Sequence, residues 1–121
     1  MRARPSHRPE RLAELIRETL AAILTGGAQL RDPRIGFVTV TGVEVSPDLA
    51  HARIRVSVMG TEAERASTLE GLASAAGFLR SQLARELSLR TSPELRFEID
   101  RGLDHARRID AVLRELKGDQ G

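Results

Sequence analysis

The sequence predicts an α+β domain with a three-stranded sheet covered on one face by helices. Apolar residues recur at three- and four-residue spacing within 12–24, 69–87 and 109–116, the period of amphipathic helices. They alternate at every second position within 38–45, 50–58 and 95–99, the period of half-buried strands. The third observation is their order: helix, strand, strand, helix, strand, helix. A short connection makes the first two strands an antiparallel hairpin. The long helix after them suits a right-handed crossover that returns the third strand parallel to the second, which becomes central.

Pro9 can stand in the first turn of the first helix, whose apolar stripe is Leu12, Leu15, Ile16, Leu20, Ile23 and Leu24. Gly26 and Gly27 can take a left-handed cap conformation, and Asp32-Pro33 marks a loop. In the first strand Val38 and Val40 share one parity and Val43 and Val45 the other, so Gly42 is expected to absorb a bulge. Ser46-Pro47-Asp48 turns the chain. Ala50, Ala52, Ile54, Val56 and Val58 then alternate with His51, Arg53, Arg55 and Ser57, so one face is core and the other is expected to be basic. Thr61-x-x-Glu64 has the form of a capping box that opens the second helix. Its apolar period continues through Gly77, so the helix is expected to bend there and not to stop, ending before Pro93. Leu95, Phe97 and Ile99 form the third strand, and a last helix is expected from about Asp104.

Bulk properties narrow the function classes. At 121 residues the chain suits one core, expected over 9–117, with a flexible basic arm at 1–8 and a tail at 118–121. It has no cysteine, which removes disulfides, thiolate catalysis and sulfur-bound zinc. No apolar run approaches the roughly 18 residues of a membrane span, so a cytoplasmic address is expected. Of 19 basic residues all but Lys117 are arginine, which never titrates here and reconciles a net charge of only +2 with a pI near 10.3. His7, His51 and His105 are scattered, without triad or ligand spacing, so no catalytic group, metal site or cofactor is expected.

Several stretches together carry a resemblance: Asp32-Pro33-Arg34, Val43-x-Val45-Ser46-Pro47-Asp48-Leu49, Ser57-Val58-Met59-Gly60, Ser74-Ala75-Ala76-Gly77-Phe78-Leu79-Arg80, Leu89-Arg90-x-x-Pro93-Glu94-Leu95-x-Phe97 and Arg108-Ile109. In order and spacing they resemble the ribosome-binding factor A family. The order of elements resembles a type II KH domain in which Ala-x-Gly replaces the Gly-x-x-G loop. The resemblance implies a KH-like fold and a monomeric bacterial factor, not an enzyme. Such a factor binds the immature small ribosomal subunit and its 16S rRNA, assists rRNA maturation and supports growth in the cold. The rival reading is a small regulatory or adaptor domain that binds a protein or a metabolite.

Candidate RNA contacts follow from residue chemistry. A run of small residues at Ala75 and Gly77 would let an RNA backbone approach the main chain; it would equally serve as a seam, shared with Gly71 and Ser74, for close packing on a sheet. Arg80, Arg85 and Arg90 follow that run and offer forked contacts to phosphate, or simply a solvated face. Arg53 and Arg55 share a strand face, with cross-strand pairing to Glu44 or to third-strand carboxylates as the alternative. Arg107 and Arg108 close the set. With three phenylalanines and no tyrosine or tryptophan, no aromatic platform is expected.

Overall fold

The structure, a computed structural model, describes residues 7–26, 32–102 and 113. Helix α1 (Arg8–Gly26) buries Leu12, Ile16 and Leu20 at four-residue spacing. Leu15 belongs to the same apolar stripe in the sequence yet remains exposed. Strands β1 (Val38–Val45) and β2 (His51–Val58) pair antiparallel from Val38↔Val58 to Val45↔Ala52, and the register shifts between Val40 and Gly42, as the parity change requires. At the hairpin turn the Leu49 N–H donates to Ser46 O (2.8 Å), while the Asp48 carboxylate accepts from the Ser46 hydroxyl and the Ala50 N–H.

Helix α2 (Glu62–Glu86) opens on the capping box: Thr61 Oγ1 accepts from the Glu64 N–H, and the Glu64 carboxylate accepts from the Thr61 N–H, both at 3.1 Å. It continues through Gly77 to bury Leu72, Leu79 and Leu83. Ser88 (φ +52°) then closes it, letting the Leu89 N–H reach back to Ala84 O (2.8 Å). Strand β3 (Glu94–Ile99) pairs parallel with β2 from His51↔Glu94 to Val56↔Ile99. The strand order is β1-β2-β3, which confirms the central place of β2. Ala52, Ile54, Val56 and Val58 of β2 join Leu12, Ile16, Leu20, Leu72, Leu79, Leu83 and Leu95 in one core under the helices. The last helix expected from about Asp104 lies outside the described residues except Leu113, which is helical and exposed, as do 1–6 of the arm and the 118–121 tail.

The segment before β1 is braced internally by one pair and fastened to α2 by two further contacts. Asp32 accepts from the Arg34 N–H (2.9 Å) and from its guanidinium. The Thr68 hydroxyl donates to Arg34 O (3.1 Å). Ile35 lies over buried Gly71, where a Cβ would come 2.7 Å from Ile35 Cγ1. A Cβ on Gly77 would meet no atom within 4 Å. Close packing therefore accounts for Gly71 and not for Gly77.

The chain leaving β3 is tied back in a similar way, with Arg101 donating to both Glu62 oxygens (2.8 and 3.0 Å) and Arg65 to one of them (3.0 Å). Hydrogen bonds from Arg101, and behind them Arg65, hold the pKa of the Glu62 carboxyl down at about 2. Those from the Arg34 side chain and N–H do the same for Asp32, also at about 2.

The two glycines of α2 should respond oppositely to a methyl group. Gly71→Ala should cost about 1 to 3 kcal/mol by overpacking, whereas Gly77→Ala, exposed and uncrowded, should gain up to about 1 kcal/mol of helix propensity. Urea melts of the two variants check the contrast, and equal effects would contradict the packing difference. Because Asp32 and Glu62 have folded pKa values below their unfolded ones, their stabilisation is complete above roughly pH 5 and is lost as pH falls toward about 2. The melting temperature should drop across that window, and less steeply in an Asp32→Asn, Glu62→Gln double variant. An equally steep drop would assign acid sensitivity to other groups.

Candidate nucleic-acid interface

Strand β3 is an edge strand, and α2 runs beside its outer side. Between them lies a groove of about 460 Å³, lined on the helix by Leu69, Ala73, Ala76, Gly77 and Arg80 and on the strand by residues 94–97. The groove is open because its helical wall carries small residues at 73, 76 and 77, and no side chain from Gly77 fills it. Its strand wall is an edge whose outward N–H and C=O groups pair with no further strand among the described residues. Such a groove admits a flat group against free backbone hydrogen-bonding groups.

The cationic residues are disposed around it unevenly. Arg80 lines the groove, where Nη2 donates to Ser92 O (3.1 Å) and Nε is buried without a hydrogen-bond partner. It thereby links α2 to the segment leading into β3, a bracing role the sequence does not reveal. Arg85 is exposed in the last turn of α2, donating to Gln82 Oε1 (3.0 Å). Arg90, exposed just past the Ser88 turn, carries no ion pair or hydrogen bond of its side chain among the described residues. Ala75 is half-buried against the core, so Ala76 takes its place beside Gly77 in the groove. Arg96 lines the groove, is exposed, and stands beside Arg53 in register, yet sequence reasoning did not single it out. Its alternation within 95–99 was readable, but its position on a groove depends on β3 being an edge.

Arg53 and Arg55 lie on the open face of the sheet, away from the helices. Arg53 donates to Glu98 Oε1 of β3 (2.8 Å), and Arg55 pairs with Glu44 of β1 (2.8 Å). The Arg53 hydrogen bond holds the Glu98 carboxyl below the usual carboxylate range. The Arg55 guanidinium lies close over Gly42, where a Cβ would come 3.2 Å from Nη2. His51 stands 3.6 Å from Glu94. The face expected to be basic is therefore charge-balanced, because β1 and β3 place a carboxylate beside each cation of β2. Arg107 and Arg108 lie outside the described residues. Among the described residues no group of three or more histidine, aspartate or glutamate side chains could hold a metal ion, and no helix is long and apolar enough to cross a membrane.

Comparisons with known proteins agree with this architecture. The family model of ribosome-binding factor A matches residues 8–113. A ribosome-binding factor A from Desulforamulus reducens is 48% identical over 115 residues, covering 95% of this chain and 94% of the relative. The crystal structure of ribosome-binding factor A from Thermus thermophilus superposes with a TM-score of 0.64 at 27% identity, covering 75% of this chain and 94% of that one. A homology model of the Thermus thermophilus factor, fitted into a cryo-EM map of its complex with the 30S subunit, gives a TM-score of 0.60 at 28% identity, covering 80% and 96%. With its α1-β1-β2-α2-β3 order, its family match over most of its length and its relatives near half identity, the chain belongs to the ribosome-binding factor A family.

Proposed function

We propose that this protein binds the immature small ribosomal subunit through its 16S rRNA and assists maturation of that RNA, supporting growth in the cold. It acts in the cytoplasm as a monomer, with 9–117 as its single domain, and works by binding without catalysing a reaction. The observation that carries this reading is the groove between α2 and the free edge of β3, where Ala76 and Gly77 leave room for an RNA backbone. Arg96 lines it, Arg85 stands in the last turn of the same helix and Arg90 just past its end, and none of the three is committed to a carboxylate by an ion pair among the described residues. The relative seen with a 30S subunit supports the same partner. Recognition rests on backbone approach and phosphate contacts.

Binding to small subunits should weaken as salt rises, with a logarithmic slope of about −0.7 or steeper per phosphate contacted. Arg90→Glu with Arg96→Glu should lower affinity and flatten that slope while leaving stability within roughly 0.5 kcal/mol per site. Gly77→Ala should stay folded yet bind more weakly, because the methyl group occupies the backbone approach. Filter binding across a salt series, paired with thermal melts, reads all of these variants. Binding that is independent of salt, or undiminished in every variant, would favour the adaptor reading.

A further inference from the structure

Phe37 and Met59 are the most exposed large apolar side chains among the described residues, at 76% and 69%. They follow directly on Val38↔Val58, the terminal pair of the β1–β2 ladder. Val38 and Val58 turn into the core, and Phe37, in the bend before β1, and Met59, just past the end of β2, stand exposed beside them; carrying the strand alternation one residue beyond the ladder puts both on the side of the open face. The ring is held on a fixed support. The Asp32–Arg34 bracket, the Thr68 bond and the seat of Ile35 over Gly71 all fasten the segment that displays it. Beside it Gly36 is uncrowded, with no atom within 4 Å of an added Cβ.

We propose that Phe37, backed by Met59, is a platform on which one unpaired RNA base stacks, a contact separate from the groove. The proposal rests on the RNA-binding reading above and adds to it a site on the other face of the sheet. Its surroundings select a base over an apolar protein pocket. Along β2 the open face continues from Met59 through Ser57 to Arg55 and Arg53, in steps of about 7 Å, and Thr39 stands opposite Ser57. Hydroxyls and guanidinium groups next to an aromatic ring suit a base followed by its sugar and phosphates. A stable protein interface buries about 800 Å² on each partner. Two apolar side chains are a small patch on that scale, whereas a single base needs only one ring face.

The test measures binding of the full chain to protein-free 16S rRNA and to purified small subunits. Phe37→Ala should weaken both by roughly 5- to 150-fold, with an unchanged salt slope because the ring carries no charge. Phe37→Trp should retain wild-type affinity, and Phe37→Leu, apolar but without a π-face, should behave like the alanine variant. Restoration by leucine, or weakening on subunits but not on free rRNA, would mean an apolar protein partner and overturn the platform. Wild-type binding combined with an unaffected Phe37→Ala overturns the platform alone. A wild-type protein that does not bind the rRNA overturns the RNA-binding reading and the platform with it.

Discussion

The structure depends on the double commitment of β2, which is hydrogen-bonded on both edges while burying every second side chain. Ala52, Ile54, Val56 and Val58 lie under the helices, and a register slip of one residue would exchange them for His51, Arg53, Arg55 and Ser57. A strand so fixed dictates where the other elements go. Both helices must cover the same face, since the opposite face carries charge. The crossover α2 must start at the C-terminal end of β2 and return to its N-terminal end, because β3 runs parallel to β2. Among the described residues β3 is therefore left without a further strand on its outer edge, and α2 lies beside that edge. The groove is thus a consequence of topology, kept open by the small residues at 73, 76 and 77.

Features that depend on neighbours in sequence were legible without a structure. The parity change across Gly42, the Thr61–Glu64 capping box and the helical period passing through Gly77 each depend on a few adjacent residues, and each appears where the pattern places it. Features set by pairing across the sheet were not. Arg53 and Arg55 read equally as a basic stripe or as cross-strand partners of Glu44 and the third-strand carboxylates, and only the register of the sheet decides for the pairs with Glu98 and Glu44. The same holds for the glycines: Gly71 and Gly77 are equivalent in a helical pattern, and only the position of Ile35 makes one of them indispensable to packing. Arg80 reads as a free cation, but the Ser92 carbonyl that engages it comes from a segment 12 residues away.

The distribution of charge separates two electrostatic roles that composition merges. On the open face each cation of β2 has a carboxylate close by, so this face has little net field to draw a polyanion from a distance. Exposed pairs of this kind contribute only about 0 to 1 kcal/mol, so a phosphate arriving by other means can replace Glu98 or Glu44 at small cost. Until it does, the pairs fix the guanidinium groups and keep the face soluble. Past the end of α2 the balance differs, for Arg90 is bound to no carboxylate among the described residues and Arg85 is bound only to an amide. Charges without local compensation project a field over about a Debye length, near 8 Å at physiological salt. The two surfaces therefore differ in kind: past α2 the cations face solvent without a carboxylate partner among the described residues, while on the sheet each cation of β2 is held by one.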